Sequence, residues 1–409
     1  MTERVSVHIL YVTPGYKPAY RFGGPIWSIS ALAEGMVARG HQVTVFTSNG
    51  NVDEDLDVPT DRPVTVDGVS VRYFRREEPF RRYVPWFKYL SQSVGYLYTP
   101  DLIPEMRAIL GSVDVVHTQL PFVYPTQAAG RLAIAQGRPL FYSQRGVFDP
   151  ARLRFRAWKK SLYLRLVERP IMRRATGLIA LTEEEISSFR ALGLKTPIHL
   201  VPNGIDVTRF RRQPQAASLS GLGISQDQQV ILFLGRIHEI KGADVLVDAF
   251  VRIAQQHPNA VLVLAGHDEQ GLLSALRAKI DAAGLGHRLR CPGMVTGELK
   301  LDLLARADLF VLPSIGEGLS MAILEALASG TPVVISQECN LPVVERAAAG
   351  AVVNRNAADV AEGISRFLSD PALLADAGQR AFELARDEFG WPPILDRLER
   401  IYSNATPAV

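Results

Sequence analysis

The sequence PSIGEGLSMAILEALASGTPVVIS, residues 313–336, predicts a strand-loop-helix-strand unit. Residues 307–312 before it are apolar and are ended by a proline, so we expect a short strand that enters a glycine-containing loop. Residues 319–329 have helix composition and stop at a glycine, where a left-handed C-cap is expected. Residues 331–335 are β-branched and apolar, which is typical of a buried parallel strand. The helix should therefore begin at the carboxyl edge of a parallel sheet.

Two glutamates, Glu317 and Glu325, lie in this loop and this helix. Backbone N–H groups and the helix dipole favour an anion at the helix N-terminus, so we expect Gly318, Leu319 and Ser320 to contact a phosphate. Because carboxylates would repel that phosphate, we interpret both glutamates as acceptors of hydrogen bonds from a diol. Either glutamate alone would indicate only a loop cap or a helix-surface residue. With the loop and strands around them, they predict a nucleotide sugar as ligand.

The stretch resembles the Glu-x7-Glu signature of the retaining glycosyltransferases of family 4, which have the GT-B fold. The resemblance covers nearly the full chain and implies two doubly wound, Rossmann-like α/β domains that face a cleft, with a C-terminal helix crossing back to the first domain. It also implies that Glu317 faces the donor hexose and that Glu325 holds the ribose hydroxyls. The implied substrates are a UDP- or GDP-linked hexose and a glycan or lipid-linked acceptor, with no further cofactor.

Length and composition agree with a two-domain globular protein. The 409 residues exceed what one hydrophobic core usually serves, and 47% hydrophobic with 21% charged residues is ordinary for an α/β protein. A net charge of +3 is too small to indicate nucleic-acid binding. Cys291 and Cys339 are too few for a disulfide framework or a four-cysteine metal site and suggest reduced thiols in a cytoplasm. No apolar run reaches the roughly 18 residues of a spanning helix, and the N-terminus predicts a strand instead of a signal peptide.

The first predicted strand, residues 5–12, leads through a loop to Gly23 and Gly24 at the start of a helix. Glycines let backbone amides approach a pyrophosphate closely, although a glycine pair alone indicates only a tight turn. This opening resembles that of family 4 enzymes, in which the corresponding loop touches the donor diphosphate. We therefore predict that Gly23 and Gly24 contact the donor, and that Gly24 is the closer of the two.

In the N-terminal half of the chain, predicted strands end at or just before three polar residues, His117, Gln119 and Arg145. Many family 4 enzymes have two histidines at the positions of His117 and Gln119, and the second contacts the donor sugar. Gln119 can hydrogen-bond there but cannot gain charge, and a histidine at a strand end is more often structural. Arg145 lies in a segment that resembles a Pro-Arg-Gly segment at the acceptor-facing side in some members. All three are predicted donor contacts, with Arg145 reaching a phosphate or the acceptor.

Arg236 and Lys241 follow the predicted strand 230–234 and precede a helix, so both cations can reach one anion. Fixed positive charges and backbone N–H groups stabilise a departing diphosphate. The pair matches the Arg and Lys of family 4 in spacing, and we predict Arg236, Lys241 and Glu317 as the catalytic residues. We find no Asp-x-Asp-like pair at a strand end and therefore predict no metal.

Two turns of the C-terminal half and one linker complete the sequence pattern. The AGHDEQ turn, residues 265–270, stands where relatives have a Gly-Asp-Gly-Pro turn, which puts its contact role in doubt. By resemblance, Gly293 and Met294 border the nucleotide base without revealing which base it is. The segment 202–206 resembles the linker between the domains. We predict an acceptor-side domain of residues 1–205 with the C-terminal helix 391–409, and a nucleotide-sugar domain of residues 206–390.

Residues 72–98 interleave arginines with aromatic residues, and residues 152–174 form a second basic run. These segments either lie on an anionic membrane or pack their apolar side chains on the sheet with solvated arginines outside. In the second run we expect Trp158, Leu162 and Leu166 to form the buried stripe of a helix. The protein is accordingly expected in the cytoplasm, either free or bound peripherally to the inner face of the cell membrane.

Two other functions fit parts of this pattern. A nucleotide-sugar 2-epimerase has the same fold, but the paired glutamates Glu317 and Glu325 argue against it. A non-catalytic nucleotide-sugar-binding subunit would fit Gln119 and the altered AGHDEQ turn, but the retained Arg236 and Lys241 argue against that. We expect a glycosyltransferase of surface polysaccharide or glycoconjugate synthesis.

Overall fold

The computed structural model describes residues 6–52, 54–77, 97–148, 161–215 and 219–406. The chain divides into two compact units. The first consists of Met1–Gly204 and Ile394–Val409, and the second of Ile205–Pro393. The last helix of the chain therefore belongs to the first unit from Ile394 onward.

The first unit is organised around a mostly parallel sheet. The strands of this unit are β1 (His8–Val12), β2 (Gln42–Ser48), β3 (Gly50–Asn51), β4 (Glu54–Asp55), β5 (Val64–Val66), β6 (Val69–Phe74), β7 (Val115–Gln119), β8 (Leu140–Ser143), β9 (Gly177–Ala180) and β10 (Ile198–Leu200). Within the described residues the order is β10-β9-β8-β7-β1-β2-β6-β5; β5 is antiparallel to β6, and β3 and β4 form a separate hairpin. The central strands β1 and β7 are buried along their whole length, as expected of a sheet covered on both faces.

Helices cover this sheet. They are Gly24–Ala38, Leu102–Ile109, Tyr124–Ala135, Arg169–Arg174 preceded by the π-helical turn Leu164–Glu168, Glu183–Ala191, and the part of Trp391–Ser403 that belongs to this unit. The helices bury apolar side chains such as Met106, Leu132 and Ile171 against the central strands.

The second unit has a parallel sheet with a reversal in its strand order. The strands are β11 (Gln229–Leu234), β12 (Ala260–Ala265), β13 (Leu289–Gly293), β14 (Leu309–Leu312), β15 (Val333–Ser336) and β16 (Gly350–Val353). Their order is β13-β12-β11-β14-β15-β16, and all neighbouring strands pair in parallel. The order changes direction between β11 and β14, and ligands of doubly wound sheets bind at the carboxyl edge of such a switch point.

The helices of the second unit alternate with these strands. They are Val207–Phe210, Ala243–Ile253, Leu273–Ala282, Gly297–Arg306, Met321–Ala328, Val343–Arg346, Ala357–Leu368 and Pro371–Leu384, the last continued by the π-helical turn Ala385–Phe389. The expected α/β architecture of two doubly wound, Rossmann-like units is confirmed. No helix in the described ranges is long and apolar enough to cross a bilayer.

The last helix begins at Trp391 and holds Pro392 and Pro393 in its first turn. Prolines are tolerated there because the first amides of a helix have no partner within the helix. One sequence expectation about a helix was wrong. We expected Leu162 and Leu166 to be buried, but these side chains are 52% and 62% exposed. Trp158, the third residue of that expected stripe, lies outside the described residues.

Candidate functional site

The loops that follow β11 and β14 meet at the switch point of the second unit. The amide of Ile315 donates to the carbonyl oxygen of Ile240 at 2.7 Å, and the hydroxyl of Ser314 donates to the same oxygen at 2.9 Å. Gly242 has a left-handed φ of 74°, and a Cβ on it would overlap the carbonyl oxygen of Pro313. Only glycine lets the two backbones come this close. The loops carrying Lys241 and Glu317 are therefore locked together.

Lys241 and Glu317 form an ion pair in this place, with 2.5 Å between Lys241 Nζ and Glu317 Oε1. The carboxylate is nearly enclosed, while the lysine side chain is 19% exposed. The backbone of Glu317 is held as well, since its amide donates to Glu338 O at 3.2 Å and its carbonyl accepts from Asn340 Nδ2 at 3.3 Å. Burial, with the nearby Glu317 charge contributing, raises the pKa of Cys339 to about 11. The Glu317 carboxylate is thus a fixed acceptor.

Arg236, the other predicted catalytic cation, pairs with a different carboxylate. Its guanidinium lies 2.5 Å from Glu269 Oε2, and its side chain is 57% exposed. Glu269 belongs to the turn that diverges from the family pattern, and the preceding Asp268 accepts the amides of Leu272 and Leu273 at 2.9 and 3.0 Å. Arg236 and Lys241 therefore each pair with a different glutamate in this structure. The divergent turn supplies the exposed carboxylate that pairs with Arg236.

Glu325 is paired in the same way. Its Oε1 accepts from Lys300 Nζ at 2.7 Å, and both side chains are mostly buried. Lys300 lies in the helix Gly297–Arg306, shortly after Gly293, with a φ of 75°, and Met294, whose side chain is 74% exposed. Gly293 and Met294, which we predicted to border the base, therefore lie in the same continuous stretch as Lys300. Lys300 is the partner of Glu325, the predicted acceptor of the ribose hydroxyls. Sequence reasoning missed Lys300 because a lysine on a helix carries no pattern of its own.

The N-terminus of the helix Met321–Ala328 follows directly on Glu317. Leu319 and Ser320 are buried and Gly318 is partly buried. Ser320 occupies the N-cap position, yet its side chain accepts no hydrogen bond from the helix amides. The first-turn amides are therefore not satisfied by their own cap, which is the arrangement that favours an anionic ligand.

In the first unit, His117 and Gln119 lie inside a buried hydrogen-bond network. His117 Nδ1 is 2.6 Å from the hydroxyl of Tyr402, and its Nε2 is 2.8 Å from Ser143 Oγ. Gln119 Nε2 approaches His117 Nε2 at 3.3 Å, and the hydroxyls of Tyr402 and Tyr11 are 3.3 Å apart. Burial lowers the pKa of His117 well below its usual value, assisted by the charge of Arg145. Both ring nitrogens of His117 are engaged by protein side chains, which agrees with its structural interpretation.

Arg145 connects three parts of this unit. Its guanidinium donates to Gln119 Oε1 at 2.5 Å, to Ser28 Oγ at 3.1 Å and to Asn203 Oδ1 at 2.7 Å. Its backbone is left-handed, with a φ of 50°, and burial lowers its pKa to about 10. Arg145 thus joins the end of β7 to the first helix and to the segment before residue 205.

The predicted glycine loop has the geometry of a close-approach site. Gly23 has a φ of 79° and precedes the helix Gly24–Ala38, in which Pro25 lies in the first turn. A Cβ on Gly23 would meet no atom within 4 Å, so the space beside this residue is open.

The structure described here contains no cluster of three or more His, Cys, Asp or Glu side chains arranged to hold a metal ion.

Two family models match the chain in succession. The model of a glycosyl transferase 4-like domain matches residues 23–204, and the model of glycosyl transferases group 1 matches residues 216–384. The chain belongs to the family 4-type glycosyltransferases. The recognition made from the Glu317 and Glu325 pattern is confirmed.

Individual relatives of this family agree with the assignment. A D-inositol 3-phosphate glycosyltransferase from Streptomyces bingchenggensis is 32% identical over 252 residues, which are 58% of this chain and 55% of the relative. The chain thus spans about half the length of this relative, and two further such enzymes match over 54% and 56% of theirs.

Solved structures show the same fold at lower identity. The sucrose-phosphate synthase of Thermosynechococcus elongatus has a TM-score of 0.72 at 22% identity, over 97% of this chain and 98% of that one. Anabaena HepE in complex with UDP and glucose has a TM-score of 0.71 at 19% identity, over 97% of this chain and the whole of that one. At these identities the likeness shows the GT-B fold alone.

Proposed function

We propose that the protein is a retaining glycosyltransferase that moves a hexose from a nucleotide sugar to a glycan or lipid-linked acceptor. The observation that carries the proposal is the arrangement at the second unit's switch point. Lys241 pairs with Glu317 in the loop before the helix Met321–Ala328, and Lys300 pairs with Glu325 on that helix, whose own cap leaves its first amides unsatisfied. Cations and amides suit a diphosphate, and fixed carboxylates suit sugar hydroxyls.

Each ion pair retains hydrogen-bond donors and acceptors that a ligand can use. A lysine ammonium has three donors and a carboxylate accepts at both oxygens, so one ion-pair contact leaves further sites on each side chain. In this proposal the donor diphosphate binds the helix amides and Lys241, and Glu317 accepts hydroxyls of the hexose. Lys300 fixes one oxygen of Glu325, and the second oxygen accepts from the ribose.

The proposed reaction proceeds on one face of the sugar. The bond between the anomeric carbon and the diphosphate oxygen breaks, and its electron pair leaves with the diphosphate, which Lys241 and Arg236 stabilise. The acceptor hydroxyl attacks from the same face, and its proton passes to the departing phosphate oxygen. An inverting reaction would need a general base on the opposite face, and Gln119 cannot serve as one. An α-linked donor should therefore give an α-linked product.

Product analysis by NMR tests this proposal. UDP-glucose is the first donor to supply, because HepE, which shares the fold, was crystallised with UDP and glucose. An α-glycoside formed from this α-donor, or from another in a panel of nucleotide sugars, would support the assignment, whereas a β-glycoside would overturn it. Conversion of the donor to its 2-epimer without transfer would instead favour the epimerase, and donor binding without any turnover would favour a non-catalytic subunit.

We also propose that this enzyme acts in surface polysaccharide or glycoconjugate synthesis while bound to the inner face of the membrane. The supporting observation is the exposed face of residues 161–174. Leu162 and Leu166 are exposed there with Arg165 and Arg173 at helical spacing. Apolar and basic side chains on one face suit an anionic bilayer. Most of the aromatic and basic residues of the two segments lie outside the described residues, at 78–96 and 149–160.

Flotation with anionic vesicles tests the membrane proposal. We expect attachment at low salt that weakens as salt rises, because exposed charges are screened over about 8 Å at physiological ionic strength. Replacing both Leu162 and Leu166 by serine should reduce attachment. Met294→Ser is the control, since Met294 is an even more exposed apolar residue in the other unit. Wild-type protein that stays unbound at low salt would contradict the proposal.

A further inference from the structure

Two aromatic rings lie stacked on the surface of the first unit. The rings of Tyr20 and Trp27 have centroids 4.6 Å apart and planes inclined by 15°. Their side chains are 44% and 52% exposed, although aromatic side chains usually bury most of their area. Tyr20 precedes Gly23 and Trp27 follows it within the first turn of the helix Gly24–Ala38. The pair, which we call the aromatic platform, therefore flanks the predicted donor-contacting loop.

The loop that carries Tyr20 is fixed from several sides. Lys17 forms ion pairs with Glu34 at 2.5 Å and with Asp67 at 2.8 Å, and its carbonyl oxygen accepts from the hydroxyl of Tyr73. A loop held in this way loses little conformational freedom when a ligand binds. The platform is therefore a preorganised surface.

Polar groups border the platform on the side of the β3–β4 hairpin. The backbone amide of Arg21 donates to Asn51 Oδ1 at 3.1 Å, and the Arg21 guanidinium lies 3.0 Å from Glu54 Oε1. Asn51 Nδ2 donates to the same Glu54 oxygen at 3.3 Å. The Arg21 and Glu54 side chains are more than half exposed, so they offer donors and acceptors for hydroxyl groups next to Tyr20 in the chain.

The size of the apolar surface decides which ligand suits it. On the hairpin that anchors the loop, Val52 is the exposed large apolar side chain, at 42%. Two rings and one valine fall far short of the roughly 800 Å² that each partner contributes to a stable protein–protein interface. A single pyranose ring matches better, because it offers an apolar face of C–H groups and a rim of hydroxyls.

We propose that Tyr20 and Trp27 form an acceptor subsite that binds one sugar ring by stacking, with its hydroxyls directed toward Arg21 and Glu54. This inference rests on the proposed glycosyltransferase function and names a neutral glycan as the acceptor class. The platform selects a ring with an unbroken C–H face, and the polar rim selects the orientation of the hydroxyls.

Saturation-transfer NMR on the full chain tests the subsite with a panel of α- and β-linked hexose disaccharides at millimolar concentration. We expect transfer to the ring protons of at least one disaccharide. Trp27→Ala should reduce that signal at least fivefold, whereas Trp27→Phe, which keeps an aromatic face, should retain part of it. Leu166→Ala is the matched control, because it removes an exposed apolar side chain that belongs neither to the platform loop nor to the β3–β4 hairpin. Each variant is first checked for an unchanged melting temperature.

Several outcomes would overturn the proposal. They are the absence of transfer to every disaccharide, transfer that Trp27→Ala leaves intact, and vesicle attachment that Trp27→Ala abolishes while the disaccharides give no signal. The last outcome would assign the platform to a lipid surface. Binding of a panel of UDP- and GDP-linked sugars to the wild type, measured by thermal shift, separately tests the proposed function. Absence of binding by every donor, with retention of the disaccharide result, would leave the sugar-binding platform standing and the transferase reaction refuted.

Discussion

At the scale of single residues, the ion pair of Lys241 with Glu317 combines the two predicted roles of the donor site. Removing the charge of Lys241 or Arg236 should cost about 2–4 kcal/mol of transition-state stabilisation, as for loss of one preorganised contact to a developing negative charge. Steady-state kcat/KM of Lys241→Ala and Arg236→Ala measures this loss.

Lys279→Ala provides the matched control for these two variants. Lys279 pairs with Asp248 at 2.5 Å in the same unit, but both side chains are more than two-fifths exposed. An exposed pair contributes at most about 1 kcal/mol, so this variant should keep near-native turnover. Near-native turnover in Arg236→Ala as well would refute its assignment to the diphosphate.

His117 should make the first unit less stable at acidic pH. Its pKa is lowered in the folded state, so below about pH 6.5 the unfolded chain binds a proton that the folded chain excludes. Stability contributed by the neutral ring is therefore present above the unfolded pKa and is lost as pH falls. The groups that face the ring are Tyr11, Gln119, Ser143, Arg145 and Tyr402.

The measurement is the free energy of unfolding of wild type and His117→Gln between pH 7.5 and 5.5. The wild type should lose up to about 1.4 kcal/mol more per pH unit than the variant. His199 and His257, whose pKa values are also lowered by burial, are present in both proteins and cancel in the comparison. Parallel pH profiles would show that His117 titrates normally.

The residues of the candidate site were predictable only in part. Glu317, Glu325, Arg236 and Lys241 stand in local patterns of strand ends and glycines, which a sequence displays. Their partners Lys300 and Glu269 become visible only when distant helices and turns come together. Tyr402, which closes on His117 across 285 positions of the chain, carries no local signal at all.

At the scale of elements, the close approach of the β11 and β14 loops makes a specific demand on Gly242. Gly242→Ala should both strain a left-handed backbone and force Cβ onto Pro313 O, so the loops that hold Lys241 and Glu317 must separate. We expect a loss of donor affinity together with a lower melting temperature, measured by thermal shift with and without UDP-glucose.

Gly284→Ala separates strain from overlap. Gly284 has nearly the same φ, 73°, but a Cβ there meets nothing within 4 Å. This control should cost about 1 kcal/mol of stability and leave donor binding unchanged. Equal donor affinity in the two variants would mean that the contact of the loops does not hold the site.

Elements followed from the sequence more completely than their ends did. Apolar runs predicted β1, β11, β14 and β15, because parallel strands buried on both faces read as continuous hydrophobic stretches. The strand before Pro313 begins at Leu309, two residues later than its apolar run, and the Asp308 carboxylate just before it accepts the amide of Val230 at 2.7 Å. The exposed Leu162 and Leu166 show the limit of periodicity, which predicts an apolar face without predicting what covers it.

At the scale of the whole molecule, we predict that transfer needs no divalent metal. The proposed donor site of the second unit offers Lys241, Arg236 and helix amides for the charge that a metal would otherwise neutralise. Activity in excess EDTA should match activity with added magnesium or manganese. A loss in EDTA that either ion restores would contradict the prediction and would point to a metal carried by the donor diphosphate.

The discontinuity of the first unit has a consequence for biosynthesis. Ile394, Leu395, Leu398 and Tyr402 are buried in that unit, yet the ribosome makes them after the entire second unit. Until then, Tyr11 and His117 lack their contacts with the Tyr402 hydroxyl, and the side chain of Leu395 does not yet pack beside Gly35. The half of the protein that is translated first is therefore the half that finishes folding last. A released chain that ends at residue 393 should carry a native second unit and an unfinished first one.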